Sequence, residues 1–194
     1  MKEGVFWYGT MSSGKSLTLI TKVYNFRKAN KIVDVFTFSG DYRYGVGRIT
    51  TRFGKQSIEA KTYDENFSFK EYVKDKKIDY LFIDEAQFLK TWQVMELFFI
   101  YSLGICNVYC FGLETDFKQD FFEGSSALIR YFTRKEELET ICSRCGKKAK
   151  FNVRVDKERN IIFEGKQIEI GGDGAYEAIC PECLARTLQK NIKS

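Results

Sequence analysis

Short apolar runs alternate along the chain with segments whose apolar positions recur at helical spacing. Residues 5–8 form an apolar run of strand length, and residues 17–26 follow with helical periodicity. A β-branched run at 31–38 predicts a second strand, which we expect to pair beside the first. Such alternation predicts an α/β fold in which helices cover a parallel sheet. The pattern predicts further elements, in chain order a short helix at 67–73, a strand at 78–83, a helix at 91–103 and a strand at 105–112.

A glycine-punctuated loop lies between the first strand and the first helix. Its residues, Gly9-Thr-Met-Ser-Ser-Gly-Lys-Ser16, match a phosphate-binding loop in spacing and in structural context. The alternative is a chance match in a surface turn. The glycines let successive backbone N–H groups face phosphate oxygens, Lys15 would neutralise them, and Ser16 would offer its hydroxyl to Mg²⁺. The residues predicted to contact nucleotide phosphates are Gly9, Thr10, Met11, Ser12, Ser13, Gly14, Lys15 and Ser16.

Two carboxylates, Asp84 and Glu85, follow directly after the apolar strand at 78–83. If this strand neighbours the phosphate loop, Asp84 can hold Mg²⁺ and Glu85 can accept a proton. The chain has no histidine, so a carboxylate is the favoured general base. Two other interpretations of Glu85 stay open. It can be a charge at a helix N-terminus, or a base that activates water as in many ATPases.

Two C-x-x-C pairs occupy the C-terminal third of the chain. Cys142 and Cys145 form the first pair, and Cys180 and Cys183 form the second. No signal peptide is expected before the first strand, which favours a cytoplasmic protein, where disulfides are rare. The pairs therefore predict a structural zinc site, with redox-active dithiols as the alternative.

The 34 residues between Cys145 and Cys180 exceed the short loop of a nucleic-acid zinc ribbon. Zinc would then hold together the two ends of this β-rich segment. Three short alternating segments are predicted as its strands, at 151–155, 161–163 and 168–170. The expected division is a nucleotide-binding domain over 1–138 and a zinc-binding lobe over 139–194. The remaining cysteines, Cys106 and Cys110, lie in an apolar run and are predicted to be core residues.

The charge of the chain suits a small anionic ligand. The formal net charge is +5, and four thiolates with one Zn²⁺ reduce it to about +3. This small positive charge is a weak argument for a nucleic-acid partner. No apolar run is long enough to cross a membrane. We therefore expect neither a nucleic acid nor a membrane as partner. Residues 39–57 are basic and rich in glycine, and they predict a mobile loop or hairpin over the phosphate site, with an ordinary surface loop as the alternative.

The motifs together resemble the zinc-containing thymidine kinases of cellular, bacterial and phage type. The resemblance runs from about residue 4 to about residue 188, with all motifs in the family's order. It implies a RecA-like P-loop domain that transfers the γ-phosphate of ATP to the 5′-hydroxyl of thymidine. It also implies Mg²⁺, structural Zn²⁺, a homotetramer and feedback inhibition by thymidine triphosphate. The motifs are the phosphate loop 9–16, Asp84-Glu-Ala-Gln-Phe88, Phe111-Gly-Leu-Glu-Thr-Asp-Phe117, Ile170-Gly-Gly172 with Tyr176, and the cysteine pairs.

The resemblance also implies roles for single residues. Glu85 becomes the base that deprotonates the 5′-hydroxyl, and the loop 113–133 wraps the sugar. Glu114 departs from the arginine that bacterial members often carry there, which removes one positive charge. The implied contacts to ATP and Mg²⁺ outside the phosphate loop are Asp84, Gln87, Asp41 and Arg43. The implied nucleoside contacts are Phe88, Leu113, Phe117, Phe122, Arg154, Ile168, Ile170, Gly171, Gly172 and Tyr176.

Two competing functions remain. A nucleic-acid-dependent ATPase would use the acidic pair on water and the zinc lobe on DNA or RNA, but the sequence has no strip of interleaved aromatic and basic residues. A kinase for another nucleoside is the second alternative.

Overall fold

The computed structural model describes residues 2–41, 45–51, 56–165, 167 and 176–192. Helices and strands alternate through the first two thirds of the chain. The helices are α1 (Lys15–Lys28), α2 (Phe69–Val73), α3 (Thr91–Ser102), α4 (Glu123–Tyr131) and α5 (Pro181–Ile192). The strands are β1 (Gly4–Tyr8), β2 (Val33–Phe38), β3 (Arg48–Thr50), β4 (Ser57–Glu59), β5 (Lys61–Tyr63), β6 (Tyr80–Ile83), β7 (Asn107–Gly112), β8 (Arg134–Glu137), β9 (Phe151–Val155), β10 (Ile161–Ile162) and β11 (Tyr176–Ile179).

The main sheet has six strands in the order β5-β2-β6-β7-β1-β8, and every pairing is parallel. The predicted α/β fold with a parallel sheet is therefore confirmed. The expectation that β2 pairs beside β1 is wrong, because β7 and β8 occupy both edges of β1. For the same reason β6, which precedes the acidic pair, is not the direct neighbour of β1. An apolar run predicts a buried strand, but it carries no information about which strand lies beside it.

Side chains of the sheet alternate between two apolar layers. On β1, Val5 and Trp7 pack in the layer that α1 covers, while Phe6 points into the layer of α3 and α4. Cys106 and Cys110 are buried in the second layer, as predicted, and burial raises the pKa of the Cys106 thiol to about 12. These thiols are packed core residues and stand apart from the paired cysteines.

The remaining strands form smaller sheets. β3 and β4 pair in an antiparallel hairpin, which agrees with the hairpin interpretation of residues 39–57. β9 is the centre of a three-stranded antiparallel sheet in the order β10-β9-β11. Its first two strands lie within predicted segments, but the third is β11, which the sequence patterns did not predict. The predicted strand at 168–170 lies outside the described residues.

Within the part of the chain that the structure describes, no helix combines the length and the apolar character needed to cross a membrane.

Candidate active site

A cavity of about 350 Å³ opens at the carboxyl ends of the parallel strands. Its walls come from the phosphate loop, the segments after β2, β6 and β7, and the β3–β4 hairpin, with Asn152 of β9 and Tyr176 of β11. Open α/β sheets bind ligands at this edge. The predicted site residues that line the cavity are Met11, Ser12, Ser13, Gly14, Lys15, Ser16, Asp41, Asp84, Glu85, Gln87, Phe88, Leu113, Phe117, Phe122 and Tyr176.

The other predicted site residues do not line this cavity. Gly9 and Thr10 line a smaller polar cleft, together with Ala149, Lys150 and Asn152. Arg154 lies on β9, with its guanidinium 5.9 Å from the ring centroid of Phe117. The predicted residues outside the described part of the chain are Arg43, Ile168, Ile170, Gly171 and Gly172.

The phosphate loop is shaped by backbone conformations that few side chains tolerate. Gly14 has a left-handed φ of 82° directly before α1. A Cβ on Gly9 would lie 2.4 Å from the carbonyl oxygen of Leu138, so only glycine lets the loop pass the end of β8. Ser12 is also left-handed, with a φ of 65°, which is uncommon for a residue with a side chain. The loop therefore holds a strained conformation of the kind found at ligand sites.

Lys15 folds its side chain over the phosphate loop. Its Nζ donates hydrogen bonds to the carbonyl oxygens of Thr10 and Gly9, at 2.7 and 3.1 Å. These acceptors are neutral, and charged phosphate oxygens are stronger partners for an ammonium group. Lys15 is thus placed to exchange its carbonyl partners for phosphate oxygens.

Asp84 is buried at the base of the cavity. Burial first, and then the negative charge of Glu85, raise the pKa of Asp84 from 3.8 to about 8, although Lys15 opposes the shift. Because the pKa of Asp84 is higher in the folded than in the unfolded state, its contribution to the free energy of unfolding is fully present below the ordinary pKa of 3.8. That contribution is lost as the pH rises through about 8. A cation beside the carboxylate offsets the cost of the charged form, so the residue suits a metal ligand.

Glu85 adopts a left-handed conformation at the end of β6, with φ 53° and ψ 37°. Its side chain makes no capping hydrogen bond to the 3₁₀ turn Ala86–Phe88 that follows. Tyr63 donates its hydroxyl hydrogen to the Glu85 carbonyl oxygen at 2.7 Å, and Gln87 Nε2 donates to Glu85 Oε2. A non-glycine residue in this region costs on the order of 1 kcal/mol. Both bonds help to hold the carboxylate at the cavity.

We expect a Tyr63→Phe variant to have a kcat several-fold to about tenfold below wild type, with nearly unchanged KM values. The kcat should fall because the Tyr63 hydroxyl donates to the backbone oxygen of Glu85 and so helps to orient its carboxylate. The KM values should change little because Tyr63 does not line the cavity. Burial keeps the pKa of Tyr63 well above its usual value, so its phenol stays a donor at neutral pH. Steady-state kinetics checks the result.

The matched control is Tyr101→Phe, because Tyr101 donates to the Tyr131 carbonyl oxygen at the same 2.7 Å, away from the cavity. Both variants should lose about 1 kcal/mol of stability. Equal kcat values for the two variants would show that the Tyr63 bond has no special effect on the base.

Gln87 links the base to the opposite wall of the cavity. Its Oε1 accepts a hydrogen bond from the backbone N–H of Leu113 at 3.1 Å, while its Nε2 donates to Glu85. A Cβ on Gly112 would lie 2.7 Å from Gln87 Oε1, so the glycine permits this close approach. The hydrogen bonds of Gln87 thus orient the base and the start of the 113–122 segment.

Aromatic rings form the part of the cavity away from the phosphate loop. Phe88 packs between Phe38 and Phe122, and its ring centroid lies 4.7 Å from that of Phe38 and 5.8 Å from that of Phe122. Phe117 lies 6.4 Å from Tyr176 in an edge-to-face arrangement. Flat apolar walls of this kind suit a planar ring with a few polar edges.

The β3–β4 hairpin adds residues that the sequence patterns did not single out. Arg48, Ile49, Thr50 and Thr51 line the cavity together with Asp41. The cationic Arg48 brings a positive charge to the rim, where an anionic ligand is attracted.

The paired cysteines converge on one point. The sulfur atoms of Cys142, Cys145, Cys180 and Cys183 all lie within 4.8 Å of one another, and those of Cys145 and Cys180 are 3.5 Å apart. A tetrahedral zinc with Zn–S bonds of about 2.3 Å places its sulfur ligands about 3.8 Å apart. Burial acts to raise the pKa of Cys142, but backbone hydrogen bonds outweigh it and lower the pKa to about 6. This donor set therefore fits a structural zinc ion.

The fold and the site together define a P-loop phosphotransferase, with a phosphate loop and an acidic pair at the carboxyl edge of a parallel sheet. A family model described as "Thymidine kinase" matches residues 5–184. The chain belongs to the thymidine kinase family.

Thymidine kinases of several bacteria are similar to the chain over nearly its whole length. The thymidine kinase of Mannheimia succiniciproducens is 40% identical, over 93% of each chain. That of Haemophilus influenzae is 39% identical over 93% of this chain and 94% of its own, and that of Chromobacterium violaceum is 38% identical over 95% and 98%. The Pif1 helicase from Candida albicans reaches a TM-score of only 0.44, with 19% identity over 70% of this chain and 36% of that chain.

Proposed function

We propose that the cavity binds ATP and thymidine together and that Glu85 takes the proton of the thymidine 5′-hydroxyl during transfer. The 5′-oxygen forms a bond to the γ-phosphorus, the bond from that phosphorus to the bridging oxygen breaks, and ADP leaves. The observation that carries the proposal is that Glu85, the phosphate loop and the aromatic walls line one cavity. A base and a phosphoryl donor must meet the same hydroxyl, which this arrangement allows.

The phosphate side of the reaction depends on charge neutralisation. Lys15 and the loop N–H groups bind the phosphates, and Ser16 and Asp84 are the residues that would hold Mg²⁺, which would supply further charge neutralisation. Asp41 lies on the cavity wall beside them. Arg43 is proposed as a further phosphate contact from the resemblance alone.

The nucleoside side depends on shape and apolar contact. Phe88, Phe117, Phe122 and Leu113 line the cavity, and an apolar pocket of this kind can stack a pyrimidine. Tyr176 packs against Phe117. The further contacts proposed by resemblance are Arg154, Ile168, Ile170, Gly171 and Gly172.

The zinc-binding lobe is proposed to begin at residue 139. Support comes from its own small core, in which Val153 and Ile179 pack beside Cys142 and Cys180. A core of this size is too small to be stable alone, and a zinc ion held by the four cysteine thiols would stabilise it. The thiolate ligands also require a reducing compartment, which supports a cytoplasmic location.

The test is ATP consumption by the purified protein with different acceptors. We expect turnover that depends on thymidine, forms thymidine monophosphate in equal amount, and is unaffected by single-stranded DNA. ATP turnover without a nucleoside, stimulated by DNA and without monophosphate, would contradict the proposal. Turnover with a different nucleoside in place of thymidine would identify a kinase of another specificity.

Thymidine triphosphate is proposed as a feedback inhibitor. Because the aromatic walls and the phosphate loop share one cavity, a single molecule with a base and three phosphates can engage both. Such a molecule competes with both substrates.

A homotetramer is proposed, and α3 offers one face for subunit contact. Trp92, Met95, Phe99 and Leu103 are exposed along one side of this helix and its end, at helical spacing. Contiguous apolar surface of this kind is typical of protein interfaces.

A Phe99→Lys variant should therefore form a smaller assembly than wild type, measured by light scattering after size-exclusion chromatography. A buried lysine without a partner costs several kcal/mol at an interface. The control is Ile141→Lys, which adds the same charge at an exposed apolar residue away from α3. An unchanged mass for Phe99→Lys would remove α3 from the interface.

A further inference from the structure

The chain that leads into β9 connects the zinc-binding lobe to the nucleotide-binding domain through alternate residues. Lys148 Nζ pairs with Glu137 at 2.7 Å, and Lys150 Nζ pairs with Glu114 at 2.6 Å. Asn152, two residues further, reaches the phosphate loop. Because side chains of an extended chain alternate between two sides, these residues share one side.

The opposite side of the same segment faces the lobe. Ala149 and Val153 are buried in the small core that contains Cys142 and Cys180. The extended chain therefore touches the zinc site on one side and the nucleotide-binding domain on the other. A change in the zinc site can reach the phosphate loop through this one segment.

Asn152 makes the most direct of these connections. It is 5% exposed, and its Oδ1 accepts a hydrogen bond from the backbone N–H of Met11 at 2.7 Å. Its backbone oxygen accepts from Gln119 Nε2 at 3.0 Å. One buried residue of the lobe thus contacts the phosphate loop and the segment that carries Phe117.

The hydrogen bond from the Met11 N–H to Asn152 lies beside a strained residue of the phosphate loop. The next residue, Ser12, is the left-handed non-glycine residue of the loop, with a φ of 65°. Without the bond from Met11 to Asn152, the Thr10–Met11 peptide loses its anchor, and the backbone around Met11 and Ser12 can rotate toward a less strained conformation. Such a loop presents its N–H groups less well to phosphate oxygens, because the cradle depends on their common direction.

We propose that Asn152 is a positioning residue for ATP, which holds the phosphate loop in its binding conformation and makes ATP affinity depend on the zinc-binding lobe. The inference rests on the proposed function of the loop as the ATP phosphate site. It adds a role for a residue of the zinc-binding lobe that neither the sequence motifs nor the family resemblance includes.

The test compares Asn152→Leu with Asn160→Leu. Asn160 lies in the same lobe, in the turn between β9 and β10, where its hydrogen bonds go to Asp156. We expect Asn152→Leu to bind a non-hydrolysable ATP analogue roughly five- to tenfold more weakly, the effect of one lost hydrogen bond. Thymidine KM and zinc content should stay as in wild type, and Asn160→Leu should match wild type throughout.

Two further readouts separate positioning from a general loss of structure. Hydrogen exchange at the Met11 amide should accelerate in Asn152→Leu only. Removal of zinc by a chelator should weaken analogue binding in wild type and in Asn160→Leu, but add little in Asn152→Leu. Equal additional weakening in all three proteins would overturn the coupling through Asn152.

The failure of this inference is distinguishable from failure of the proposed function. If wild type forms thymidine monophosphate and Asn152→Leu binds the analogue as tightly as wild type, the positioning role is wrong. If wild type forms no thymidine monophosphate, the proposed function is wrong, and analogue binding by the variants still decides the role of Asn152.

Discussion

A Glu85→Gln variant is expected to lose phosphoryl transfer by a factor of roughly 10² to 10⁴ while it still binds ATP and thymidine. The change removes the basic oxygen and keeps the size of the side chain. Its new carbonyl oxygen can still accept the hydrogen bond that Gln87 Nε2 donates to Glu85. The orientation of the side chain is therefore preserved, and the loss of transfer reports the loss of the basic oxygen.

The comparison that isolates this effect is Glu59→Gln, which makes the same change at an exposed carboxylate of the β3–β4 hairpin. Its kcat should equal that of wild type. Substrate binding by Glu85→Gln is measured separately, so that a loss of affinity is not mistaken for a loss of the base. Turnover near the wild-type rate in Glu85→Gln would exclude Glu85 as the base.

Removal of zinc is expected to open the lobe and abolish activity while the α/β domain stays folded. Structural zinc contributes on the order of 10 kcal/mol in small zinc domains, which far exceeds what the small core around Val153 can supply. Among the described residues, the cysteines in the two apolar layers of the main sheet are Cys106 and Cys110, which do not belong to the four-thiol cluster. Limited proteolysis after chelation should therefore cut within 139–192 and leave a fragment that ends near residue 138.

Two cysteine variants serve as a matched pair for this prediction. Cys145→Ala removes one of the converging thiols, whereas Cys106→Ala removes a buried thiol of the main core. Zinc content should fall in Cys145→Ala and remain that of wild type in Cys106→Ala. Full activity and an uncut lobe after complete chelation would contradict the structural role of the metal.

The sequence predicted those parts of the site that are coded by local spacing. The phosphate loop, the acidic pair after β6 and the converging cysteines each depend on residues a few positions apart, or on two such clusters. Local spacing reflects backbone geometry within one turn or loop, so a pattern can identify it. The α/β fold followed for the same reason, from the alternation of strand and helix periodicities.

The parts that were missed depend on contacts between distant segments. Tyr63 bonds Glu85 across 22 positions, and Met11 bonds Asn152 across 141. No periodicity links such residues, since their proximity follows from the order of strands in the sheet. The same limit explains the error over β2, whose apolar residues suit any interior position of a parallel sheet. The left-handed Glu85 also has no local signal, because glycine or asparagine is the usual residue there.

The identity of the phosphorylated product tests the transfer of phosphate from ATP to thymidine. The protein is incubated with ATP, Mg²⁺ and thymidine, and the mixture is followed by phosphorus NMR. We expect equal amounts of ADP and a monophosphate ester on the 5′-oxygen of thymidine, with far slower formation in Glu85→Gln. Conversion of ATP to ADP and inorganic phosphate, with thymidine unchanged, would contradict it.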